Sequence, residues 1–180
     1  MSSVRSSQPI GVFDSGLGGL SVLREIAVQL PNENLIYVAD SAHAPYGAKT
    51  AEYIAERCMA ISQFLLDQQV KLIVVACNTA TAYAVDLLRH HLTIPVIGLE
   101  PAVKPAVQLT KTGVVGVLAT QQTANSERLK RLIADYAQGI KVVVQACPKL
   151  VEHVEQGDFD SVELQLLLQT YLAPLQAQQV

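Results

Sequence analysis

The hydrophobic residues of this chain form short runs that alternate with longer amphipathic segments almost from end to end. Short runs rich in Val, Ile and Leu are typical of buried strands, whereas apolar residues at every third or fourth position are typical of helices. The predicted strands are residues 10–13, 35–39, 71–76, 95–98, 113–118 and 140–145.

The helical period is clearest in two of the intervening segments. The segment after Thr50 places four apolar residues on one helix face, namely Ile54, Cys58, Ile61 and Leu65. The segment after Gln122 does the same with Leu129, Leu132, Ile133 and Tyr136. Its Glu127 precedes Arg131 by four residues, a spacing at which an ion pair supports a helix.

A last helix is predicted to begin at Asp160, with Glu163 completing a capping box, and to end at Pro174. Its buried stripe would consist of Leu164, Leu167, Leu168 and Tyr171. We expect residues 173–180 to lead into another buried strand, so that the alternation stops where a strand is due.

Strands that alternate with helices predict an α/β fold, in which parallel sheets carry helices on both faces. The predicted strands are apolar throughout, as expected when both faces of a sheet are covered. The segment 98–101 contains Gly98 and Pro101 and is the soft boundary at which one α/β unit can give way to the next.

The composition excludes several classes of protein. The chain has 180 residues, half of them apolar, and a formal net charge of −3. Nucleic-acid binding is disfavoured because no stripe of Lys and Arg is present to neutralise phosphates. The apolar runs are too short to cross a bilayer, and the Ser-rich residues 1–8 precede no signal-peptide core. Three widely spaced cysteines make no disulfide framework, so we expect a cytoplasmic, enzyme-sized protein.

Polar residues at the carboxyl ends of the strands are the candidates for chemistry, because sites in such folds lie there. The segment 14–19, DSGLGG, directly follows the first strand, and its glycine spacing matches neither a dinucleotide-binding loop nor a Walker A loop. Its glycines could bring the backbone close to a small ligand. Alternatively, the segment is a plain strand-to-helix turn with Asp14 as the helix cap.

A second cluster follows the second strand and combines Asp40 with the segment PYG at 45–47. A tyrosine between proline and glycine indicates a loop that fixes an aromatic ring over a pocket, with an ordinary turn as the alternative.

The third cluster is Cys77, Asn78 and Thr79, which end a very apolar run. A thiol at this point would lie at the amino end of the next helix, whose positive end can lower a thiol pKa from about 8.5 to roughly 7.5 or below. Asn78 and Thr79 offer hydrogen-bond donors to a carboxylate at the same place. The alternative is a buried cysteine that acts as a small hydrophobic residue.

The remaining cysteines and the histidines are weaker candidates for catalysis or metal binding. Cys58 lies on the apolar stripe of its helix and is predicted to be core. Cys147, before Pro148, is predicted to open a helix, and we favour a structural role for it over a reactive one. The histidines lack ligand spacing with one another or with the cysteines, so we predict no metal site; they are His43, His90, His91 and His153.

Taken together, these clusters resemble the aspartate/glutamate racemase family, and within it the members that act on glutamate. The segments that carry the resemblance are GVFDSGLGGL at 11–20, PYG at 45–47, ACNTA at 76–80, GVLAT at 116–120, ACP at 146–148 and VE at 154–155. The combination of these motifs is specific, although no single one is.

The resemblance implies an enzyme that needs neither pyridoxal phosphate nor metal, and that inverts the α-carbon of glutamate to supply D-glutamate for peptidoglycan. Two cysteines act on opposite faces of the substrate: one thiolate removes the α-proton and the other thiol returns a proton. By resemblance, Cys77 would be one of these two groups. Asp14 would hold the substrate ammonium or assist proton transfer at Cys77.

The resemblance also implies roles for residues around these two. Substrate binding, chiefly of the carboxylates, would fall to Ser15, Tyr46, Gly47, Asn78 and Thr79, with Asp40 in a supporting role. Glu155 would orient a histidine that follows the second catalytic cysteine.

The sequence departs from the family pattern at that second cysteine. In the family it lies in a Cys-Thr-His motif on a strand that would begin just after Val180, and the motif is absent. We therefore expect a truncated racemase of low activity with two similar, incomplete α/β domains. Residues 1–98 would form the first, without its C-terminal return segment, and residues 99–180 the first part of the second.

Two other readings stay open: a glutamate-binding or regulatory module without catalysis, and a one-cysteine relative such as a decarboxylase. The decarboxylase is disfavoured because the segments at Asp14 and Cys77 suit an amino acid with a charged ammonium. The expected partner is glutamate, without a cofactor, nucleic acid or membrane, and a homodimer is compatible with the sequence.

Overall fold

A computed structural model describes residues 7–180 of the protein. The polar start of the chain, interpreted above as lacking a signal peptide, lies largely in residues 1–6 and thus outside the described residues. The chain divides into two compact units, the first ending at Leu99 and the second spanning Glu100–Val180.

The first unit contains a four-stranded parallel sheet. Its strands are β1 (Ile10–Asp14), β2 (Leu35–Ala39), β3 (Leu72–Val75) and β4 (Val96–Gly98). They lie in the order β2-β1-β3-β4, with Phe13 of β1 in register with Val38 on one side and Val75 on the other. The four strands predicted in this region are confirmed, each to within one residue at either end.

Helices cover both faces of this sheet, as predicted. They are α1 (Leu20–Gln29), α2 (Ala51–Asp67) and α3 (Asn78–His91), and two short 3-10 turns, Ser41–His43 and Tyr46–Ala48, precede α2. Successive strand residues point to opposite faces. Phe13 accordingly packs in the cluster that contains α2 and α3 residues, whereas Val12 packs with residues of α1. The predicted stripe of α2 is confirmed, because Ile54, Cys58, Ile61 and Leu65 are all buried.

The second unit contains a two-stranded parallel sheet of β5 (Val114–Ala119) and β6 (Lys141–Ala146). Its helices are α4 (Val103–Leu109), α5 (Gln121–Asn125), α6 (Glu127–Tyr136), α7 (Leu150–Gln156) and α8 (Val162–Gln176). Residues of α4 and α6 form one core with β5 and β6. The end of α8 packs at Gly116, where an added Cβ would lie 2.8 Å from Val180 and 3.3 Å from Leu175. A glycine is needed there because the chain end approaches the strand so closely.

The region after Gln122 differs from its prediction in three respects. Two helices, α5 and α6, replace one, because Ser126 caps α6 by accepting a hydrogen bond from the Leu129 amide. Tyr136 is 44% exposed, and its ring lies 5.0 Å from the Lys104 ammonium instead of joining the buried stripe. Glu127 pairs with Lys130 at 2.6 Å, one position earlier than the predicted Arg131.

The prediction for the last helix was wrong at both ends. Ser161, not Asp160, is the N-cap of α8, and its Oγ accepts from the Leu164 amide at 3.2 Å. Pro174 lies inside the helix, which continues to Gln176. The residues after the proline still make helical hydrogen bonds, since the Ala177 amide donates to the carbonyl of Ala173 at 3.0 Å. No helix within residues 7–180 has the length and hydrophobicity required to cross a membrane.

Candidate active site

The candidate residues of the first unit lie at the carboxyl edge of its sheet. Asp14 ends β1, Asp40 follows β2 and Cys77 follows β3, and these three strands are neighbours. The Oγ of Ser15 lies 3.4 Å from the Sγ of Cys77 and also 3.4 Å from Oδ1 of Asp14. The fold therefore brings the predicted thiol and the predicted carboxylate to the two sides of one hydroxyl.

Cys77 is the N-cap of α3. Its backbone is extended, with φ −123° and ψ 119°, and its Sγ accepts a hydrogen bond from the Ala80 amide at 3.4 Å. The predicted position of the thiol at the start of a helix is confirmed.

The predicted low pKa of Cys77 was wrong for this structure. The side chain is buried, and burial together with the negative charge of Asp14 raises the pKa of the Cys77 thiol to about 11. Hydrogen bonds from Ser15 and the Ala80 amide favour the thiolate but do not outweigh burial. Cys77 is therefore a neutral thiol at neutral pH in this structure.

Asp14 also shapes the glycine-rich turn. Its Oδ2 accepts the Gly19 amide at 2.9 Å, so the carboxylate closes the segment 14–19 at the start of α1. A Cβ on Gly19 would lie 2.6 Å from the Cβ of Asp14 and 2.8 Å from the hydroxyl of Tyr37. That hydroxyl donates to the carbonyl of Gly16 at 2.9 Å. One oxygen of Asp14 thus accepts a hydrogen bond from the turn, and the other faces Ser15. Asp14 can therefore cap the turn with one oxygen and still contact the site with the other.

Asp40 and Tyr46, predicted from one cluster, are in direct contact. The Tyr46 hydroxyl donates to Oδ2 of Asp40 at 2.6 Å, and Arg57 of α2 donates to both carboxylate oxygens, at 3.0 and 2.8 Å. Burial alone would raise the pKa of Asp40, but the hydrogen bonds from Arg57 and Tyr46 lower it below its usual 3.8. Burial and the bond to Asp40 raise the pKa of Tyr46.

Arg57 was missed by the sequence reasoning. It precedes Cys58, which lies on the predicted buried stripe of α2. A charged residue beside a buried stripe is a signal for a buried ion pair, since such a charge is rarely left without a partner.

Asn78 carries an unpaired polar atom. Its Oδ1 and the Oγ of Ser62 are buried without a hydrogen-bond partner within the described part of the chain. Buried polar atoms are normally paired, so an acceptor without a partner beside Cys77 is an unusual feature of this sheet edge. Thr79 is buried next to it, and Gly47 lies in the turn that Tyr46 begins.

The other predicted residues lie elsewhere. Glu155 belongs to α7 in the second unit, whereas Asp14, Ser15, Tyr46, Gly47, Cys77, Asn78 and Thr79 belong to the first. Cys147 does not open a helix: it follows β6, its amide donates to the carbonyl of Ala119, and α7 begins at Leu150.

The cysteines outside the cluster are buried thiols. Burial raises the pKa of both Cys58 and Cys147. The Sγ of Cys147 donates to the carbonyl of Gln145 at 3.4 Å. Across residues 7–180 no group of three or more His, Cys, Asp or Glu side chains is arranged to hold a metal ion.

Comparison with known proteins assigns the family. The family model described as Asp/Glu/Hydantoin racemase matches residues 10–178. A glutamate racemase of Methylococcus capsulatus is 53% identical over 169 residues, which are 94% of this chain and 62% of the relative.

Solved structures agree with this match. Glutamate racemase isoform RacE1 from Bacillus anthracis superposes with a TM-score of 0.86 at 36% identity, covering 95% of this chain and 65% of that one. Escherichia coli glutamate racemase, in complex with L-glutamate and the activator UDP-MurNAc-Ala, gives a TM-score of 0.83 at 37% identity, covering 93% and 64%. The chain thus spans less than two thirds of the length of these relatives, and it belongs to the Asp/Glu/Hydantoin racemase family.

Proposed function

We propose that this chain provides one half of the active site of a cofactor-independent glutamate racemase, with Cys77 as one of its two acid–base groups. The observation that carries the proposal is the contact of Ser15 with both Asp14 and Cys77, at the sheet edge where Asn78 has a buried oxygen without a hydrogen-bond partner. On this proposal the enzyme works in the cytoplasm and supplies D-glutamate for peptidoglycan.

The cluster can bind an amino acid in one orientation. Asp14 and the Oδ1 of Asn78 are acceptors and suit the substrate ammonium. The start of α3 at Asn78 and Thr79 presents backbone N–H groups, which suit a carboxylate. The Tyr46 hydroxyl is already bound to Asp40, so Tyr46 and Gly47 would contribute backbone groups and shape.

Proton transfer at Cys77 then depends on the substrate. Inversion breaks the Cα–H bond on one face and forms a new one on the other, with no net change in oxidation state. As a neutral thiol, Cys77 is ready to donate a proton. A substrate ammonium beside Asp14 would cancel the negative charge that raises the pKa of Cys77, and would thereby make the thiolate, the basic form, more accessible.

The acid–base group on the opposite face would come from outside residues 7–180. Cys58 is fully buried within the core of the first unit, and Cys147 donates into the backbone of β6. Glu155 would orient a histidine next to that second group. Glutamate binding without inversion is the second candidate function, and the burial of Cys58 together with the backbone bond of Cys147 favours it for this chain.

Hydrogen exchange at the substrate α-carbon tests the proposal. Incubation of the chain with L- or D-glutamate in heavy water should replace the α-hydrogen of one enantiomer without inverting it, as read by NMR. Cys77→Ala should abolish exchange, whereas the matched variant Cys147→Ala should retain it. Binding without exchange would support the glutamate-binding module instead. If the chain showed no binding and no exchange with either enantiomer, both candidate functions would be refuted.

A further inference from the structure

Arg57 of α2 makes a two-point contact with a carboxylate. Its Nε donates to Oδ2 of Asp40 at 3.0 Å, and its second terminal nitrogen donates to Oδ1 at 2.8 Å. The Asp40 side chain is 8% exposed and that of Arg57 29%. Two parallel bonds from a planar guanidinium fix both the position and the plane of a carboxylate, which a single contact does not do.

Asp40 passes this constraint to Tyr46. The Oδ2 atom that accepts from Arg57 also accepts the Tyr46 hydroxyl, at 2.6 Å. Tyr46 is 1% exposed and begins the 3-10 turn Tyr46–Ala48, which also contains Gly47. A carboxylate held in one plane therefore presents its acceptor oxygen to the phenol in one direction, and the turn is anchored at its first residue.

The anchored turn packs against α3, the helix that Cys77 caps. Tyr46 and Cys77 belong to the same buried cluster, and a charge on the Cys77 sulfur would raise the pKa of the Tyr46 phenol. Displacement of the phenol would therefore move the Tyr46–Gly47 backbone relative to the groups that we assign to substrate binding.

We propose that Arg57 is a positioning residue for the substrate-binding turn, acting through Asp40 on Tyr46 and Gly47. The inference rests on the proposed function, because it treats that turn as part of a glutamate site. Lysine could supply the charge at this position but not the two parallel bonds.

A purely structural role for Arg57 has different consequences. It would lower the free energy of unfolding without changing the affinity of the folded protein for glutamate. The affinity of the folded protein for glutamate therefore separates the two roles.

The test compares Arg57→Met and Arg57→Lys with the control Arg24→Met. Arg24 is an exposed arginine whose carboxylate partner, Glu25, is also exposed. The chain carries tyrosine labelled with ¹³C at Cζ, and Tyr46→Phe assigns the Tyr46 resonance. Titration with L- and D-glutamate gives the dissociation constants.

We expect Arg57→Met to weaken glutamate binding about tenfold, the equivalent of one charge-assisted hydrogen bond, and to shift the Tyr46 resonance. Arg57→Lys should restore part of the affinity, and Arg24→Met should change neither signal. In a Tyr46→Phe background, Arg57→Met should add little further loss, because both changes break the same connection.

The two proposals fail in different ways. Wild-type affinity for glutamate in both Arg57 variants would overturn the positioning role. If the unmodified chain bound neither enantiomer, the glutamate site itself would be refuted. An unmoved Tyr46 resonance in both Arg57 variants would then still show that Arg57 does not hold the turn. Arg57→Lys keeps the test valid if Arg57→Met does not fold, because it leaves the charge on Asp40 compensated.

Discussion

Replacement of Asp14 by asparagine should lower the pKa of the Cys77 thiol. After burial, the negative charge of Asp14 is the largest cause that raises this pKa to about 11. Asparagine removes the charge but keeps a side-chain oxygen that can accept the Gly19 amide, as Oδ2 of Asp14 does at 2.9 Å. The substitution therefore changes the electrostatics of the site while it preserves the hydrogen bond that closes the turn.

The size of the effect follows from the two contacts of Ser15. Its hydroxyl lies 3.4 Å from the carboxylate and 3.4 Å from the sulfur, so the two ionisable groups are separated by at most twice that distance. Unit charges about 7 Å apart interact by roughly 2 kcal/mol at an effective dielectric constant of about 20. This energy corresponds to a decrease of about 1.5 in the pKa of Cys77.

Alkylation kinetics measure this change, because the thiolate is the reactive form of cysteine. At pH 8 a decrease of about 1.5 in the pKa of Cys77 raises its thiolate fraction roughly 30-fold. A less basic thiolate is also a weaker nucleophile, so the alkylation rate should rise by only about sevenfold. Iodoacetamide labelling followed by peptide mass spectrometry reports Cys77 separately from Cys58 and Cys147. The control Asp67→Asn should leave the rate unchanged. An equal or slower rate in Asp14→Asn would refute the assigned electrostatic coupling.

Three further predictions concern stability. Ser161→Ala should lower the free energy of unfolding by about 1 kcal/mol, because it removes the cap of α8, whereas Asp160→Ala should change it by less than about 0.5 kcal/mol in urea titrations. Gly19→Ala should cost about 1 to 3 kcal/mol in the same assay, because its Cβ would lie 2.6 Å from another Cβ. The control Gly18→Ala meets its nearest atom only at 3.5 Å and should be milder. The pKa of Asp40 is lowered in the folded state, so the charged Asp40 side chain stabilises the fold above about pH 3.8. This stabilisation is lost as the pH falls through the folded-state pKa. The difference in the free energy of unfolding between wild type and Asp40→Asn should shrink over the same pH range.

The strands could be predicted because their signal is local. Each is a continuous apolar run bounded by polar or turn residues, and all six appear within one residue of the predicted bounds. Helix ends were less predictable. Asp160 and Ser161 are adjacent and both are good caps, so the local pattern could not decide between them. Pro174 was expected to stop α8, but the helix continues to Gln176 and the Ala177 amide still donates to the carbonyl of Ala173.

The candidate site was predictable in its members but not in its electrostatics. The carboxyl ends of neighbouring parallel strands meet at one edge, so Asp14 and Cys77 could be placed together from topology alone. The protonation of Cys77 depends on how deeply the folded chain buries the sulfur, which no local pattern reveals. The ion pair of Asp40 with Arg57 joins residues 17 positions apart in sequence and arises only when α2 packs against the end of β2.

The raised pKa of Cys77 is compatible with the proposed chemistry for a thermodynamic reason. A racemase works in both directions, so each acid–base group must donate a proton in one direction and accept it in the other. A thiol permanently ionised by its surroundings would be a poor donor, and one permanently neutral would be a poor base. In this structure burial and the charge of Asp14 raise the pKa of Cys77 and so favour its protonated form, the acid. A cation bound to Asp14 would reverse one of these two influences, so the substrate ammonium itself can bring the thiol and thiolate forms closer in energy. This coupling requires that Asp14 stay within interaction range of Cys77, a distance that the Ser15 hydroxyl sets by contacting both.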